Sequence, residues 1–387
     1  MKKLFIIFST YFLPVVFLFI IFLFLTQQSY SYPRFAAYTG DKCGSCHVSP
    51  SGGSMRTPGY GTAYAKKNLE MDAFKKLAGK LEFSPKLNDN ISIGGDVRLA
   101  HSDNDNKTSV SANKFLAMEG NLYVNAKITD ALNVFVSAGL QSQQAPVKNE
   151  FYGMLSDMTP AKIYFRAGKF SPDFGIRIHD HRAFQRLYLL NTPYDADAGL
   201  ELGISPGDFH MNVGFFNGLG IDFFDTDLNK MFVAQADYTF HFSDERVHLN
   251  FGTSFYNNPF RKLDPQGVAM DANQKAFNGF TKIGFFDRVA ILGEMDFIEN
   301  TETNIFRRGL YHFAELNIRL VKGVELRGQY EMRDRDREIV DDEITRISAG
   351  FSFFPMQGME AEGMYRIVKE EPQIDNNEYQ FLFHFYF

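Results

Sequence analysis

The sequence has no tryptophan, only two cysteines, and no long apolar run after its first 25 residues. Because a membrane-spanning helix needs about 20 mostly apolar residues, the absence of any long apolar run after residue 25 excludes a bundle of membrane-spanning helices. A disordered chain is excluded as well, since 42 Phe and 18 Tyr supply ample apolar surface. What the 387 residues do contain is aromatic side chains dispersed among polar ones. This dispersal is typical of a membrane β-barrel.

The N-terminus has the pattern of an export signal. Lys2 and Lys3 precede an apolar run from Leu4 to Leu25, and the small residues of Ser29-Tyr30-Ser31 follow. This order predicts a signal peptide over residues 1–31 that is removed after export. The apolar run is longer than the usual ~7–15 residues, so an uncleaved anchor is the alternative. In either case the chain is exported.

Both cysteines fall in one motif, Cys43-Gly44-Ser45-Cys46-His47. The spacing C-x-x-C-H is the attachment site of c-type haem. It predicts that Cys43 and Cys46 carry one covalent haem c and that His47 is the proximal iron ligand. The alternative for a C-x-x-C pair is a thioredoxin-like redox site, which requires a βαβ context that this loop-rich stretch lacks.

The sequence leaves the distal iron ligand open. No second histidine lies between His47 and residue 80, so Met55 and Met71 are the thioether candidates. Met55 is the better one, because it ends a Gly- and Ser-rich stretch that can fold back over the iron. Met71 falls on a predicted helix from Thr62 to Ala78, where a methionine on the apolar stripe usually packs. A histidine from elsewhere in the chain and an open site are the alternatives.

From about Leu87 onward, apolar and polar residues alternate with the period of a β-strand, most clearly over Val324–Arg333. Tight turns alternate with longer polar loops, and the chain ends in alternating aromatics with a terminal Phe387 that resembles the assembly signal of outer-membrane barrels. The predicted long loops include Ser102–Lys114, Asn258–Ala276 and Asp334–Asp342. About sixteen strands are expected, starting near Ile91, Phe115, Ala131, Glu150, Ala161, Ala198, Phe209, Lys230, Arg246, Phe277, Arg288, Gly309, Lys322, Glu343, Gly358 and Glu378.

The predicted fold is therefore all-β: a transmembrane antiparallel outer-membrane β-barrel over residues 85–387, with short periplasmic turns and longer outer loops. A small cytochrome c segment, mostly helix and loop, precedes it over residues 32–84. The segment carries a net charge of +4 and the barrel a net charge of −12. Opposite charges favour docking of the segment in or at the mouth of the lumen. Two separately solvated surfaces are the alternative.

One long polar loop follows Phe170. Long loops without secondary structure are usually functional, so we expect this one to fold inward. Arg177, Arg182 and Arg186 would then face haem propionates. His179 or His181 could reach the iron or bind a divalent metal outside, and an ordinary outer loop is the alternative. The sequence has no nucleotide-binding loop, zinc signature or hydrolase-type nucleophile arrangement.

The run over residues 33–40 with Cys43, Cys46 and His47 resembles the fused outer-membrane monohaem cytochrome c–porins of iron-oxidising bacteria. The resemblance implies that one haem accepts electrons from extracellular Fe(II) and passes them to a periplasmic carrier. The continuation over residues 48–53 departs from the Phe- and Pro-rich continuation of that family, which leaves the substrate open.

We therefore expect electron transfer across the outer membrane, an insulating layer that a soluble cytochrome cannot cross. The expected partners are an extracellular donor or acceptor with iron foremost, a periplasmic carrier such as a soluble cytochrome, and outer-membrane lipid. No nucleic acid is expected, and a homo-oligomer is compatible with the barrel. The alternatives are a solute-conducting porin with a tethered haem that faces the periplasm, an outward conduit, and, more remotely, a haem enzyme.

Overall fold

The computed structural model describes residues 33–74, 83–104, 113–139, 149–180, 182–188, 196–218, 228–263, 269–302, 305–373 and 376–387. The predicted signal peptide over residues 1–31 lies outside the described residues. Among the residues that are described, no helix is long and apolar enough to cross a membrane.

Sixteen antiparallel strands close into one barrel, in which the first strand pairs with the last. All but two of the predicted strand starts lie within three residues of the observed ones, and the predicted fold class is confirmed. The strands are β1 (Ile91–Asn104), β2 (Asn113–Lys127), β3 (Leu132–Gly139), β4 (Glu150–Leu155), β5 (Tyr164–Phe170), β6 (Asp197–Ile204), β7 (Phe209–Phe216), β8 (Met231–Phe242), β9 (Val247–Leu263), β10 (Ala269–Phe285), β11 (Val289–Glu302), β12 (Ile305–Val321), β13 (Val324–Asp334), β14 (Ile344–Phe353), β15 (Met359–Lys369) and β16 (Glu378–Tyr386).

The strands turn their polar side chains inward and their apolar side chains outward. On β13 the buried, lumen-facing residues are Glu325, Arg327, Gln329, Glu331 and Arg333. Between them, Leu326 and Tyr330 face outward and are 45% and 39% exposed. A soluble β-sandwich would show the reverse arrangement, so this alternation identifies the wall of a transmembrane barrel.

The two ends of the barrel differ. Connections after even-numbered strands lie at one end, which we call the short-turn end because all but the one after β4 are tight turns, whereas the other connections lie at the long-loop end. The predicted loop Asn258–Ala276 is wrong, because β9 and β10 continue through most of it. Polar side chains pair across this hairpin, as Arg261 Nε does with Asp271 Oδ1 at 3.0 Å, so polar residues continue the ladder beyond the predicted strand ends. The ends of the predicted loop Ser102–Lys114 likewise belong to β1 and β2.

The N-terminal segment consists of short helices: α1 (Pro33–Thr39), α2 (Cys43–Cys46), α3 (Tyr60–Asn68) and a 3-10 turn (Asp72–Phe74). The predicted helix from Thr62 to Ala78 is wrong over residues 69–74, since α3 ends at Asn68 and only a 3-10 turn follows. The backbone N–H of Met71 donates to the Phe354 carbonyl of the barrel at 3.2 Å, and this contact replaces a helical hydrogen bond. Ala78 lies outside the described residues.

Candidate haem site in the barrel lumen

Residues 33–74, which we call the plug, enter the barrel at its short-turn end. Phe35 and Tyr38 of α1 are buried, at 3% and 0% exposure. The backbone of Ala37 lies so close to Gly284 of β10 that a Cβ there would collide with the Ala37 carbonyl. The plug is therefore packed directly on the barrel wall.

Arg34 anchors the plug electrostatically. Its Nε lies 2.9 Å from Glu325 Oε2, and its Nη2 lies 3.2 Å from Glu360 Oε1. All three side chains are buried. The positive net charge of the plug and the negative net charge of the barrel predict attraction between them. The buried Arg34 guanidinium between two wall carboxylates is one such attractive contact.

Hydrogen bonds join the plug to the wall of β4–β7 from one end of the barrel to the other. At the short-turn end, Lys42 Nζ donates to the Ser205 carbonyl at 3.1 Å. Deeper in the lumen, Arg166 Nη1 donates to Ser49 Oγ at 3.0 Å. Ser54 Oγ donates to Glu150 Oε2 at 2.8 Å, and Glu150 is the first residue of β4, at the long-loop end. Because β4–β7 have only 6–8 residues each, the plug reaches both ends of this wall.

The two cysteines of the C-x-x-C-H motif bound the short helix α2. One helical turn separates Cys43 from Cys46, and the His47 N–H donates to the Cys43 carbonyl at 3.1 Å. Helix α3 packs against this turn at Gly61, where a Cβ would collide with the Cys46 carbonyl. Only glycine permits this approach, so α3 holds the motif in its compact form.

A cavity lies beside the motif, and Cys43, Cys46 and His47 line it together. Its apolar lining comes from the plug, the wall and the loop after β5, and includes Phe35, Tyr64, Ala65, Leu69, Ile178 and Phe354. Two thiols one helical turn apart, an adjacent imidazole and apolar walls form the donor set that a c-type haem requires. The residues present therefore fit the predicted cofactor, although the attachment itself stays a prediction.

The loop after β5 folds into the lumen, as the sequence predicts, and ends in a short helix α4 (Phe184–Tyr188). We call residues 171–188 the inward loop. The Ile176 N–H donates to Glu294 Oε2 at 2.6 Å, and Asp180 pairs with Arg366 Nη2 at 2.9 Å. Arg177 and Arg186 line the cavity, where guanidinium groups would suit haem carboxylates.

The other two predicted residues of this loop have different positions. Arg182 contacts Glu378 of β16 and is not among the residues that line the cavity. His181 lies outside the described residues. The divalent-metal alternative gains no support, because the described part of the chain contains no cluster of three or more His, Cys, Asp or Glu side chains.

The two methionine candidates lie at different places. Met55 lines the cavity, but its backbone carbonyl accepts from the Val48 N–H at 3.0 Å, and its side chain is 2% exposed among Tyr123 and other core residues. Met71 lies against Gly323 at the short-turn end and does not line the cavity.

Sequence reasoning missed one histidine of the cavity, His384 on β16. Its Nε2 lies 3.2 Å from Asp96 Oδ2, and its Nδ1 lies 3.3 Å from Glu360 Oε2. The signal was present in the sequence, since His384 is a polar residue at a lumen-facing position between the outward-facing Phe383 and Phe385.

Two titratable groups of the plug precede the motif. Burial raises the pKa of Asp41 to about 9 and lowers the pKa of Lys42 to about 8. In both cases removal from water disfavours the charged form. At neutral pH Asp41 is therefore protonated and uncharged, whereas Lys42 keeps most of its positive charge.

Neither a protein-family model nor a curated protein sequence matches the chain. Among solved structures, the chain is similar to a loop-deletion mutant of OmpT, an outer-membrane protein of Vibrio cholerae, at 13% identity and a TM-score of 0.57. It is similar to an anion-selective porin from Comamonas acidovorans at 10% identity and a TM-score of 0.52. The outer-membrane channel DcaP of Acinetobacter baumannii follows at 10% identity and a TM-score of 0.50.

These likenesses cover 77% of this chain and 97–99% of the other chains. The covered share is close to the share of the chain that lies from β1 to its end. At such low identity the comparison concerns the fold alone. The chain thus has the barrel fold of outer-membrane porins. The role of the plug has to be inferred from the residues of the plug itself.

Proposed function

We propose that the chain is an electron-transfer protein of the bacterial outer membrane, with one c-type haem bound through Cys43 and Cys46 and ligated by His47. The observation that carries the proposal is that these three side chains line one cavity inside a closed barrel. A haem bound there would supply a one-electron carrier whose potential depends on its axial ligands, burial and nearby charge.

The plug and the barrel wall determine where the C-x-x-C-H motif, and with it the proposed haem, lies relative to the membrane. An apolar band about 25 Å tall insulates the two sides of an outer membrane. The plug holds the motif within the barrel wall, between the Lys42 contacts at one end and the Ser54–Glu150 contact at the other. A haem fixed at this place would divide the electron-transfer distance between an extracellular partner and a periplasmic partner into two shorter steps.

The filling of the lumen favours an electron conduit over a solute channel. The part of the plug from Lys42 to Ser54 lies along β4–β7, its first helix packs on the wall at β10, and the inward loop is bound to β11, β13 and β15 through Glu294, Glu331 and Arg366. A water-filled porin needs an open path past both. A solute-conducting porin with a periplasm-facing tethered haem is the second candidate, and the fold shared with porins and channels is the observation that favours it.

The orientation of the barrel supports a proposal for which partner meets which end. Short turns of outer-membrane barrels face the periplasm, so the plug entrance would meet a periplasmic carrier such as a soluble cytochrome. The long-loop end would meet an extracellular donor. The sequence resemblance makes Fe(II) the first donor to test, and an outward flow to an extracellular acceptor is the reverse use of the same path.

The test is an absorbance spectrum of intact cells that produce the protein, before and after ferrous iron is added outside. We expect the band of reduced haem to rise in these cells and to stay absent in cells with the Cys43→Ala, Cys46→Ala variant. If a membrane-permeant reductant raises the band but ferrous iron does not, inward iron oxidation is wrong. If purified protein contains no covalent haem, the whole proposal fails.

A further inference from the structure

Two carboxyl side chains lie next to each other on the lumen side of β11. Glu294 and Asp296 are two residues apart, so they project from the same face of the strand. They are 3% and 0% exposed. The two carboxyl groups are in hydrogen-bond contact with each other.

Few groups compensate the charge of this pair. Glu294 accepts the Ile176 N–H at 2.6 Å and the Asn278 side-chain amide at 3.3 Å. Within the described part of the chain, neither oxygen of Asp296 has a hydrogen-bond partner of ordinary geometry. Arg186 of α4 is the cation that acts on both carboxyl groups. The residues directly opposite the pair on the two neighbouring strands are uncharged at neutral pH: Asn278, Phe280, Tyr311 and Phe313.

One proton on the pair satisfies this arrangement. Two carboxyl groups that share a buried site do not both ionise, because like charges repel strongly away from water. A single proton lets Asp296 donate to Glu294 or accept from it, and Arg186 then balances the one negative charge that remains. The geometry is therefore that of a proton-binding site in the wall of the lumen.

The pair is connected to the candidate haem site through two residues. Arg186 lines the cavity beside Cys46 and His47. Ile176, whose N–H donates to Glu294, lines a second cavity, which Cys43 and His47 also line. A change of charge at the motif acts on the pair through the protein interior, where charges are screened less than in water.

Resting on the proposed function, we infer that Glu294 and Asp296 together bind one proton and release it when the haem is oxidised. Loss of one electron from the iron to the periplasmic carrier adds one positive charge in the lumen. This charge disfavours the proton on the pair, so one proton passes to solvent. Uptake of one electron from the external donor reverses both changes, and electron transfer is thereby linked to one proton.

The proton itself is tested by infrared difference spectroscopy of the purified full-length protein, reduced against oxidised. We expect the carbonyl stretching band of a protonated carboxyl group in the reduced state and its loss on oxidation. Asp296→Asn should lack this change, and Glu294→Gln should lack it as well. Asp41→Asn, which removes the other buried protonated carboxyl group, should keep it. A change that disappears in Asp41→Asn and stays in Asp296→Asn would overturn the assignment.

The coupling is tested by the midpoint potential of the haem as a function of pH. Because the oxidised state releases the proton more readily, the potential should fall as pH rises, by at most about 59 mV for each tenfold fall in proton concentration. His179 and His384 also line the haem cavity and can add a slope of their own, which stays in Asp296→Asn. The slope of Asp296→Asn should therefore be smaller than that of the native protein.

Glu299→Gln is the control on the same strand, since its side chain is 45% exposed, and its slope should equal the native one. Equal slopes in native protein and Asp296→Asn, at equal haem content, would overturn the coupling and leave the proposed function standing. An absence of covalent haem in the native protein would defeat both. Heat-dependent migration in gels verifies that each variant keeps a folded barrel.

Discussion

Asp41 makes the docking of the plug depend on pH. Burial raises its pKa from 3.8 to about 9, so the folded state keeps a proton that the unfolded carboxyl releases. The folded state is then disfavoured progressively as pH rises from about 4 towards 9. We expect Asp41→Asn to stabilise the docked plug at pH 8 by about 1–3 kcal/mol and to flatten this dependence. The measurement is the urea midpoint for tryptic cleavage of the plug in detergent, from pH 5 to 9; an unchanged slope would contradict the prediction.

Arg34 is the strongest electrostatic anchor that the structure describes between plug and wall. Replacement by Ala leaves Glu325 and Glu360 buried without their guanidinium, and removal of one partner from a buried pair costs about 3–5 kcal/mol. We expect Arg34→Ala to lower the same urea midpoint strongly and to release the plug at lower denaturant. Lys66→Ala on the exposed face of α3 is the control, with an expected change within about 0.5 kcal/mol. Equal midpoints for both variants would show that the ion pair contributes little.

At the scale of elements, the contact between α3 and the motif helix depends on a single missing side chain. Gly61→Ala places a methyl group against the Cys46 carbonyl, so α3 has to move away from α2. We expect lower haem content and a loss of about 1–3 kcal/mol in plug stability, as for an overpacked contact. Gly59→Ala is the matched control, because a Cβ there meets nothing within 4 Å. Haem content per protein and the urea midpoint are measured for both variants. Identical values would contradict the proposal that Gly61 is needed for the contact between α3 and α2.

The elements that the sequence predicts correctly are those with a local pattern. Period-two alternation gives sixteen strands, and the C-x-x-C-H spacing marks the motif that lines the cavity. The wrong predictions are those in which a distant partner decides. The predicted helix through Met71 ends early because the Met71 N–H donates to the Phe354 carbonyl of the barrel. Polar residues such as Arg261 remain in a strand because a polar partner, here Asp271, lies on the neighbouring strand.

The position of the plug was predictable only in outline. Net charges of opposite sign favour docking, but they cannot specify that Arg34 meets Glu325, which is 291 residues away in the chain. His384 joins the cavity for the same reason: only closure of β16 on β1 brings it near the motif. Local sequence carries no information about such pairings until the topology is known.

For the whole molecule, the arrangement of plug and inward loop predicts a low ionic conductance. Native protein in planar lipid bilayers should pass little current compared with an open porin of the same strand number, because both segments occupy the lumen. Arg34→Ala combined with Lys42→Ala should raise the current by loosening the plug, whereas Lys66→Ala should not. A native conductance as high as that of an open porin would favour the solute-channel alternative.

The closed barrel also imposes an order of assembly. The plug is the first described part of the chain to be synthesised, and β16, which seals the wall against β1, is the last. After this seam forms, Cys46 is buried and Cys43 is partly buried, and both line a cavity inside the closed wall. Under the proposed function, haem attachment to the two cysteines would therefore have to precede closure of the barrel. The interval between export and membrane insertion would be the time in which attachment takes place.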